Sequence, residues 1–293
     1  MDNLELHQER EPFQNKIQGC LPGGAVADDL CYGCPLEEYP RKPRSLLAEK
    51  TCRGEITRLM ENKYNTLLAA AYARGMGQRT GTPVLPPELA QTPLEVLTEH
   101  ELARLTDAGA QAGLKLYPFK QKEVLPRVSA VLGFLRGIQP ESLLDVGSGR
   151  GMFLFPFLRE FPEVPVTAVD LLPHRVELLQ AMAAGGIQRL TALRQDICTW
   201  DASEGAFDVV TLLEVLEHIP EVDRAVEAAV RLARRYVVVT VPSKPDNNPE
   251  HIHLLTKEKL TELFQTAGCD RLKFGGVNGH LMAVASLNRR EGV

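Results

Sequence analysis

The sequence predicts an α/β fold with a doubly wound, mostly parallel seven-stranded sheet that ends in an antiparallel hairpin. Strand-like apolar runs alternate with helical stretches from about residue 122 onward, and this alternation is typical of parallel sheets covered by helices. The pair Asn278-Gly279 separates the last two strand-like runs, which indicates a tight hairpin turn. Residues 1–121 lack this alternation. We therefore divide the chain into a mainly helical accessory region over residues 1–121 and a main domain over residues 122–293.

The elements of the main domain follow from periodicity and from the residues that start and stop helices. The run over 235–241 is almost continuously apolar, as expected of a strand with helices on both faces. Thr256 suits the N-cap of the last helix, and Gly268 suits the position just after its end. In chain order we predict helices over 124–135, 151–160, 173–183, 221–233 and 256–267, and strands over 143–145, 165–170, 189–197, 207–213, 235–241, 272–277 and 281–287.

The most informative run is 143–151, in which a predicted strand leads into an acid and three alternating glycines. Glycine has no Cβ, so it can adopt a positive φ and lets a ligand lie directly against the backbone. We expect a helix to begin near Gly151, with its free N–H groups directed at the same place. The run predicts a cofactor pocket, although an ordinary strand-to-helix turn would show a similar pattern.

The glycine spacing argues against a nicotinamide dinucleotide. That class of cofactor is associated with G-x-G-x-x-G, whereas here Met152 occupies the place of the third glycine, which comes one residue early. The observed D-x-G-x-G-x-G pattern resembles motif I of the class I (Rossmann-like) S-adenosylmethionine-dependent methyltransferases. The resemblance implies that the amino-acid end of S-adenosylmethionine is surrounded by Asp145, Gly147, Gly149 and Gly151.

Three further motifs at predicted strand ends match the same family, and the resemblance covers residues 122–293. Asp170 ends the second strand, where an α/β unit places a carboxylate over the ribose hydroxyls, and Leu171 directly after it is a further cofactor-binding candidate. The resemblance places Asp196 and Ile197 beside the adenine. The run E-V-L-E-H-I-P after the fourth strand begins at Glu214, which is thereby also a cofactor-binding candidate. A single terminal Asp could equally cap the next helix, so the order of the four motifs carries the prediction.

The implied activity is methyl transfer to an oxygen or nitrogen nucleophile by in-line displacement. The cofactor carries the difficult chemistry, so the protein mainly aligns the nucleophile and assists its deprotonation. The substrate, a small molecule or an RNA, is not identified by these motifs. A protein that binds the cofactor without catalysis is a further alternative. The candidate catalytic residues are Glu214, Glu217, His218 and His253.

The acids and histidines near the strand ends also suggest a divalent cation. Glu214, Glu217 and His218 would share one face of a helical turn, and His251 or His253 would complete a site. This arrangement resembles the small-RNA 3′-terminal ribose 2′-O-methyltransferases, and implies a metal that polarises the 2′-hydroxyl as a Lewis acid. The same motif occurs in metal-independent small-molecule methyltransferases, and the run over residues 242–253 departs from the pattern of the RNA family. Metal binding, base catalysis without metal, and simple packing of these histidines therefore all stay open.

A second candidate metal site lies in the accessory region. Cysteines of a reducing compartment favour a closed metal site over disulfides, and the C-x2-C pair at its centre is a good metal knuckle. The outer spacings are irregular, so zinc, an iron–sulfur cluster and unrelated free thiols are all open alternatives. The four residues are Cys20, Cys31, Cys34 and Cys52.

Composition supports a two-domain cytoplasmic protein. The chain has 293 residues, is 44% hydrophobic and carries a formal net charge of −5, and no apolar run approaches the roughly 18 residues of a membrane span. We expect no signal segment and no membrane partner. Residues 41–79 are locally basic, with nine Lys or Arg against three acids. Helical apolar spacing from Ser45 to Arg74 predicts a helix there, whose basic face is either simply solvated or a surface for RNA. Two short helices are expected over 93–99 and 99–112.

Overall fold

The computed structural model describes residues 46–121, 123–245 and 247–287, with side chains from residue 62 onward. The chain divides into two compact units, and the second, Cys52–Val293, contains the sheet. The strands are β1 (Leu143–Val146), β2 (Val166–Asp170), β3 (Leu190–Arg194), β4 (Phe207–Leu213), β5 (Ala233–Pro242), β6 (Leu272–Val277) and β7 (His280–Ser286). The helices are α1 (Leu46–Thr80), α2 (Pro87–Ala90), α3 (Glu99–Gln111), α4 (Pro126–Ile138), α5 (Leu154–Glu160), α6 (Pro173–Ala184), α7 (Val222–Leu232) and α8 (Lys257–Thr266).

The seven strands form one sheet in the order β3-β2-β1-β4-β5-β7-β6. Strands β1 to β5 are parallel, and β7 pairs antiparallel with both β5 and β6. Asn278 and Gly279 both have positive φ, 42° and 85°, as the two central residues of a type I′ hairpin turn require. The predicted fold class is confirmed. Because β1 lies between β2 and β4, their carboxyl ends meet at one edge of the sheet, where such folds bind ligands.

Two predicted boundaries are wrong for identifiable reasons. Helix α5 begins at Leu154 rather than near Gly151, because Gly151 has a φ of 77° and cannot lie in a right-handed helix. The third strand ends at Arg194 rather than at residue 197. There the Asp196 side chain accepts a hydrogen bond from the Cys198 N–H and starts a short 3-10 turn instead.

Buried apolar side chains form two clusters, one for each set of helices. One joins strand residues to side chains of α1, α3, α4, α5 and α6, and the other joins them to α7 and α8. The helix predicted to Arg74 extends to Thr80, and α3 begins with a capping box between Thr98 and Glu101. Among the residues that the structure describes, no helix is both long and apolar enough to cross a membrane. The domain division at residue 121 stays a prediction.

Helix α1 meets the end of α6 at backbone contact distance. A Cβ placed on Gly75 would lie 1.7 Å from the carbonyl oxygen of Ala181, and one placed on Gly185 would lie 1.8 Å from that of Ala71. Beside this crossing Arg74 is only 5% exposed, and its Nε donates to the Gly185 carbonyl at 2.7 Å. Arg74 therefore caps carbonyls in the interior, and does not belong to the basic surface that the sequence suggested.

Asp208, at the start of β4, forms hydrogen bonds to neighbouring segments at the amino-terminal edge of the sheet. Its side chain is fully buried, and it accepts hydrogen bonds from Arg234, Arg235 and the Glu141 N–H. Burial raises the pKa of Asp208, but the hydrogen bonds from Arg235, Glu141 and Arg234 outweigh burial and hold that pKa below its ordinary value of 3.8. The ionised form of Asp208 therefore stabilises the fold.

We expect Asp208→Asn to lower the free energy of unfolding by about 2 kcal/mol at pH 7, less than a fully buried pair because both arginines are partly exposed. A lowered carboxyl pKa stabilises the fold above the ordinary pKa, and this contribution is lost as the pH falls through the folded value. The difference between wild type and variant should therefore shrink below about pH 4, as measured by urea unfolding. Glu163→Gln, in the exposed pair with Arg189, is the control. A difference that persists unchanged at pH 3 would contradict this account.

Candidate functional site

A cavity of about 690 Å³ opens at the carboxyl ends of the central strands. Predicted residues that line it are Asp145, Gly147, Gly149, Asp170, Leu171, Asp196, Ile197, Glu214 and His218. The remaining predicted residues of the described ranges, Gly151, Glu217, His251 and His253, do not line it. The motifs at separate strand ends thus meet in one place, as the parallel topology requires.

The glycine-rich loop has the left-handed backbone that the sequence predicts. Gly147 and Gly149 have φ values of 67° and 57°, and a Cβ on Gly147 would lie 2.6 Å from a methyl carbon of Val215. A Cβ on Gly151 would instead lie 2.4 Å from the ring of Phe155. Gly151 is therefore required by packing beneath the loop, whereas Gly147 and Gly149 form the cavity wall.

Asp170 holds the glycine-rich loop and faces the cavity. Its Oδ1 accepts from the Leu172 N–H at 2.9 Å, and its Oδ2 accepts from the Gly149 N–H at 3.1 Å. Arg175 Nη1 lies 3.3 Å from the same Oδ2. These contacts fix the direction of the carboxylate, and its remaining lone pairs can accept hydroxyl hydrogen bonds.

Asp145 is a buried carboxyl at the end of β1, with 2% exposure. Its Oδ1 accepts from the Thr211 hydroxyl at 2.8 Å, and its Oδ2 has no hydrogen-bond partner among the described residues. Burial raises the pKa of Asp145 to about 6; hydrogen bonds from Ser148 and Thr211 oppose that rise, and the charge of Asp170 adds to it. A donor in the cavity would satisfy Oδ2 and favour the ionised form.

The adenine side of the predicted site is partly apolar. Ile197 is 3% exposed, and Leu171 is 58% exposed beside it on the cavity wall. Asp196 uses Oδ1 to cap the turn through the Cys198 N–H at 2.9 Å. Its second oxygen can accept from an amine while the cap is kept.

Glu214 has an unusual backbone for a residue other than glycine, with a φ of 58°. This left-handed conformation turns its carboxylate toward α4 and the hairpin. Its Oε2 lies 3.1 Å from His280 Nε2, and its Oε1 lies 3.9 Å from Arg127 Nε. The 3-10 turn begins only at Leu216. The expectation that Glu214, Glu217 and His218 share one helical face is therefore wrong for Glu214.

Glu217, His218 and His251 do come together. Their candidate ligand atoms all lie within 4.8 Å of one another, and the two imidazole rings are 4.8 Å apart between centroids. His218 Nδ1 lies 2.9 Å from the Glu250 carbonyl oxygen. His253 is directed elsewhere, with Nε2 3.0 Å from the carbonyl oxygen of Ile219. The structure thus groups three of the five residues predicted for a divalent cation, and leaves out Glu214 and His253.

Sequence reasoning missed two residues of this edge, and it did not pair a third, His280, with an acid. Arg127 and Thr240 line the cavity, and His280 contacts Glu214 through the hairpin turn. The predicted turn at Asn278-Gly279 placed His280 near the start of the last strand. It did not indicate which acidic side chain His280 would contact. The predicted cysteine site stays a prediction, because Cys20, Cys31 and Cys34 lie outside the described residues and the Cys52 side chain is not described.

Comparison with known proteins identifies similar chains. A family model described as "Methyltransferase domain" matches residues 119–273. The chain is 28% identical over 116 residues to a malonyl-[acyl-carrier protein] O-methyltransferase of Geobacter sulfurreducens, covering 40% of this chain and 43% of the relative. It is 32% identical over 118 residues to a ubiquinone biosynthesis O-methyltransferase of Alkalilimnicola ehrlichii, covering 37% and 43%.

A third relative is named for a different kind of substrate. The chain is 26% identical over 169 residues to ribosomal RNA small subunit methyltransferase G of Lactococcus lactis, covering 48% of this chain and 71% of the relative. The chain spans less than half the length of the other two relatives. The range matched by the family model, 119–273, includes the cavity residues.

Proposed function

Because the chain belongs to the methyltransferase-domain family, we propose that it transfers a methyl group from S-adenosylmethionine to an oxygen or nitrogen nucleophile. The observation that carries the proposal is the cavity in which the glycine-rich loop, Asp145, Asp170 and Asp196 converge. Retention of all three acids and of the loop conformation supports an enzyme over a protein that merely kept the fold.

The residues of the cavity fit this cofactor. Asp145 Oδ2 and Thr240 Oγ1 are buried without a hydrogen-bond partner among the described residues, and an ammonium group would satisfy such atoms. Arg127 lines the same end and would hold a carboxylate. Asp170 would accept from the ribose hydroxyls, and Asp196 from the adenine amine. The buried side chain of Ile197 would cover the base.

The bound cofactor supplies an electrophilic methyl group on a sulfonium. The protein's own residues then have to orient the nucleophile along the line of the bond that breaks, keep water out and take up a proton where the nucleophile carries one. The two relatives named O-methyltransferases favour an oxygen acceptor. Acceptor choice depends on the cavity wall formed by Glu214, His218 and Glu250, beyond the cofactor contacts.

The proposal is tested by calorimetry with S-adenosylmethionine, followed by transfer of labelled methyl to a panel of acceptors. The panel contains a phenolic hydroxyl, a primary amine, a carboxylate and an RNA oligonucleotide. Binding with transfer to a small acceptor supports the proposal. Binding without transfer to any class supports the non-catalytic alternative and contradicts the enzyme. Transfer to RNA alone would favour the ribose alternative, which the position of Glu214 outside the histidine cluster disfavours.

Cofactor affinity should rise with pH because Asp145 must be ionised beside an ammonium group. Burial places the pKa of Asp145 at about 6, so the carboxyl is mostly protonated at pH 5 and mostly ionised at pH 7. We expect the affinity for S-adenosylhomocysteine to be about tenfold higher at pH 7 than at pH 5, as measured by calorimetry. In Asp145→Asn the affinity should be weaker and almost independent of pH over this range. A wild-type affinity that falls as the pH rises would contradict this role.

We also propose that Glu217, His218 and His251 bind a divalent cation. A carboxylate and two imidazoles are a common ligand set for transition metals. The contact of His218 Nδ1 with the Glu250 carbonyl supports the proposal, since metal-binding histidines usually donate their other N–H to such an oxygen. The cation would complete its coordination with water or substrate.

Titration of metal-free protein with Zn²⁺ and Mn²⁺ tests this site. We expect binding that is weakened at least tenfold in Glu217→Gln and in His251→Ala. His253→Ala is the matched control, since His253 lies in the same segment but outside the cluster. Equal metal affinity in the wild type and all three variants would contradict the proposed cation site. It would leave the proposed binding of S-adenosylmethionine unaffected.

A further inference from the structure

Glu214 and His280 form a hydrogen-bonded pair at the wall of the cavity. His280 Nε2 lies 3.1 Å from Glu214 Oε2, and His280 Nδ1 lies 3.2 Å from the carbonyl oxygen of Asn278. Both ring nitrogens lie near oxygen atoms, and a neutral imidazole carries one N–H; with that hydrogen on Nε2, His280 donates to Glu214 Oε2. The two side chains are about one fifth exposed, at 21% and 23%, so the pair is largely shielded from water.

The backbone builds this pair at some cost. A positive φ is unfavourable at a glutamate, and such strain is found preferentially at functional sites. At Glu214 the strain is held by the hydrogen bond from its N–H to the Thr240 carbonyl at 2.8 Å. On the other side, the hairpin turn places His280 as the first residue of β7, opposite Pro242 of β5. Two neighbouring elements thus converge to orient one carboxylate.

The two oxygens of Glu214 differ in their surroundings. Oε2 is engaged by His280, whereas Oε1 is buried and forms no hydrogen bond within the described residues. The nearest cation to Oε1 is Arg127, whose Nε is 3.9 Å away and beyond hydrogen-bond length. Glu214 lines the cavity, and Oε1 is the one of its two oxygens that has no hydrogen bond within the described residues.

We propose that Glu214 is the proton acceptor for a hydroxyl substrate and that His280 is its positioning residue; this inference rests on the proposed function. In the step, the hydroxyl oxygen bonds to the methyl carbon, the carbon–sulfur bond breaks with its electron pair moving to sulfur, and the hydroxyl proton passes to Glu214 Oε1. A neutral hydroxyl needs such a base because it is a poor nucleophile until its proton is shared. A carboxylate acceptor carries no proton and would not need it.

The test is steady-state kinetics with the phenolic acceptor, with S-adenosylhomocysteine affinity measured for every variant. We expect Glu214→Gln to lower kcat by about 100-fold with little change in KM, the usual scale for loss of a general base. His280→Leu should lower kcat at least tenfold. In His280→Gln the side-chain amide can replace the Nε2–H donor, so this variant should recover most of the activity. His100→Leu, at an exposed position of α3, is the matched control.

Each outcome decides the proposal. Activity in Glu214→Gln or His280→Leu within threefold of wild type would overturn it, and so would equal losses in His280→Gln and His280→Leu with normal cofactor affinity. If His280→Leu does not fold, the contrast between His280→Gln and Glu214→Gln decides, and equal losses in those two would again overturn it. A wild-type protein that binds the cofactor but methylates no acceptor would contradict the proposed function and this inference together. An active wild type with unaffected variants would contradict only the inference.

Discussion

Replacing Gly75 with alanine is expected to lower the free energy of unfolding by about 3 kcal/mol or more. The new Cβ would lie 1.7 Å from the carbonyl oxygen and 2.6 Å from the carbonyl carbon of Ala181, and neither atom belongs to a side chain that could rotate away. Helices α1 and α6 would have to separate. The separation would also disturb the contact of Arg74 with the Gly185 carbonyl, so a buried guanidinium would lose part of its hydrogen bonding.

The matched control is Gly133→Ala, also within a helix but in open space, with no heavy atom within 4 Å of the added Cβ. Alanine is favoured over glycine in a helix by up to about 1 kcal/mol, so this variant should be slightly more stable than wild type. Urea unfolding followed by circular dichroism measures both. If Gly75→Ala proved as stable as wild type, the close crossing of α1 and α6 would be wrong.

The sequence predicted the main domain well because its signals are local. Asp170 and Asp196 each follow an apolar run, and the ends of parallel strands must converge. The Asn278-Gly279 pair between two strand-like runs strongly favoured a hairpin turn over other connections. These features require no knowledge of packing, and the structure places each of them as expected.

The errors arose where distant contacts decide the backbone. Helix α5 was expected to begin near Gly151, whose positive φ does not allow it, and a Cβ there would meet the ring of Phe155, a contact that the sequence does not reveal. Glu214 was placed on a helical face with Glu217, because periodicity cannot reveal a positive φ at a glutamate. Arg127 was missed as a site residue, and His280 was not paired with Glu214, because Glu214 lies far from both in sequence. The sequence therefore predicted which strand ends meet at this edge of the sheet. It did not predict which side chains of α4 and of the hairpin would join them.

The second large effect is expected for Asp170→Asn, which should weaken S-adenosylhomocysteine binding by about 100-fold. The Asp170 carboxylate accepts from the Gly149 and Leu172 N–H groups, so it both shapes the glycine-rich loop and presents oxygens to the cavity. An amide has one acceptor oxygen, and its NH₂ group would face one of these N–H donors. Hydrogen bonds to charged groups contribute about 1.5–3 kcal/mol, and about 2.8 kcal/mol corresponds to a hundredfold change in affinity.

The measurement is calorimetry, with thermal unfolding as a check that the variant is folded. Asp223→Asn, an exposed carboxylate on α7, removes the same charge away from the cavity and should bind like wild type. Arg175 Nη1 lies 3.3 Å from Asp170 Oδ2, so a variant of Arg175 can distinguish two roles of Asp170. If Asp170 acted only through its ion pair with Arg175, then Arg175→Met would reproduce the loss. If Asp170 binds the ribose itself, Arg175→Met should stay within about threefold of wild type, because the Gly149 and Leu172 N–H groups still hold the Asp170 carboxylate in place.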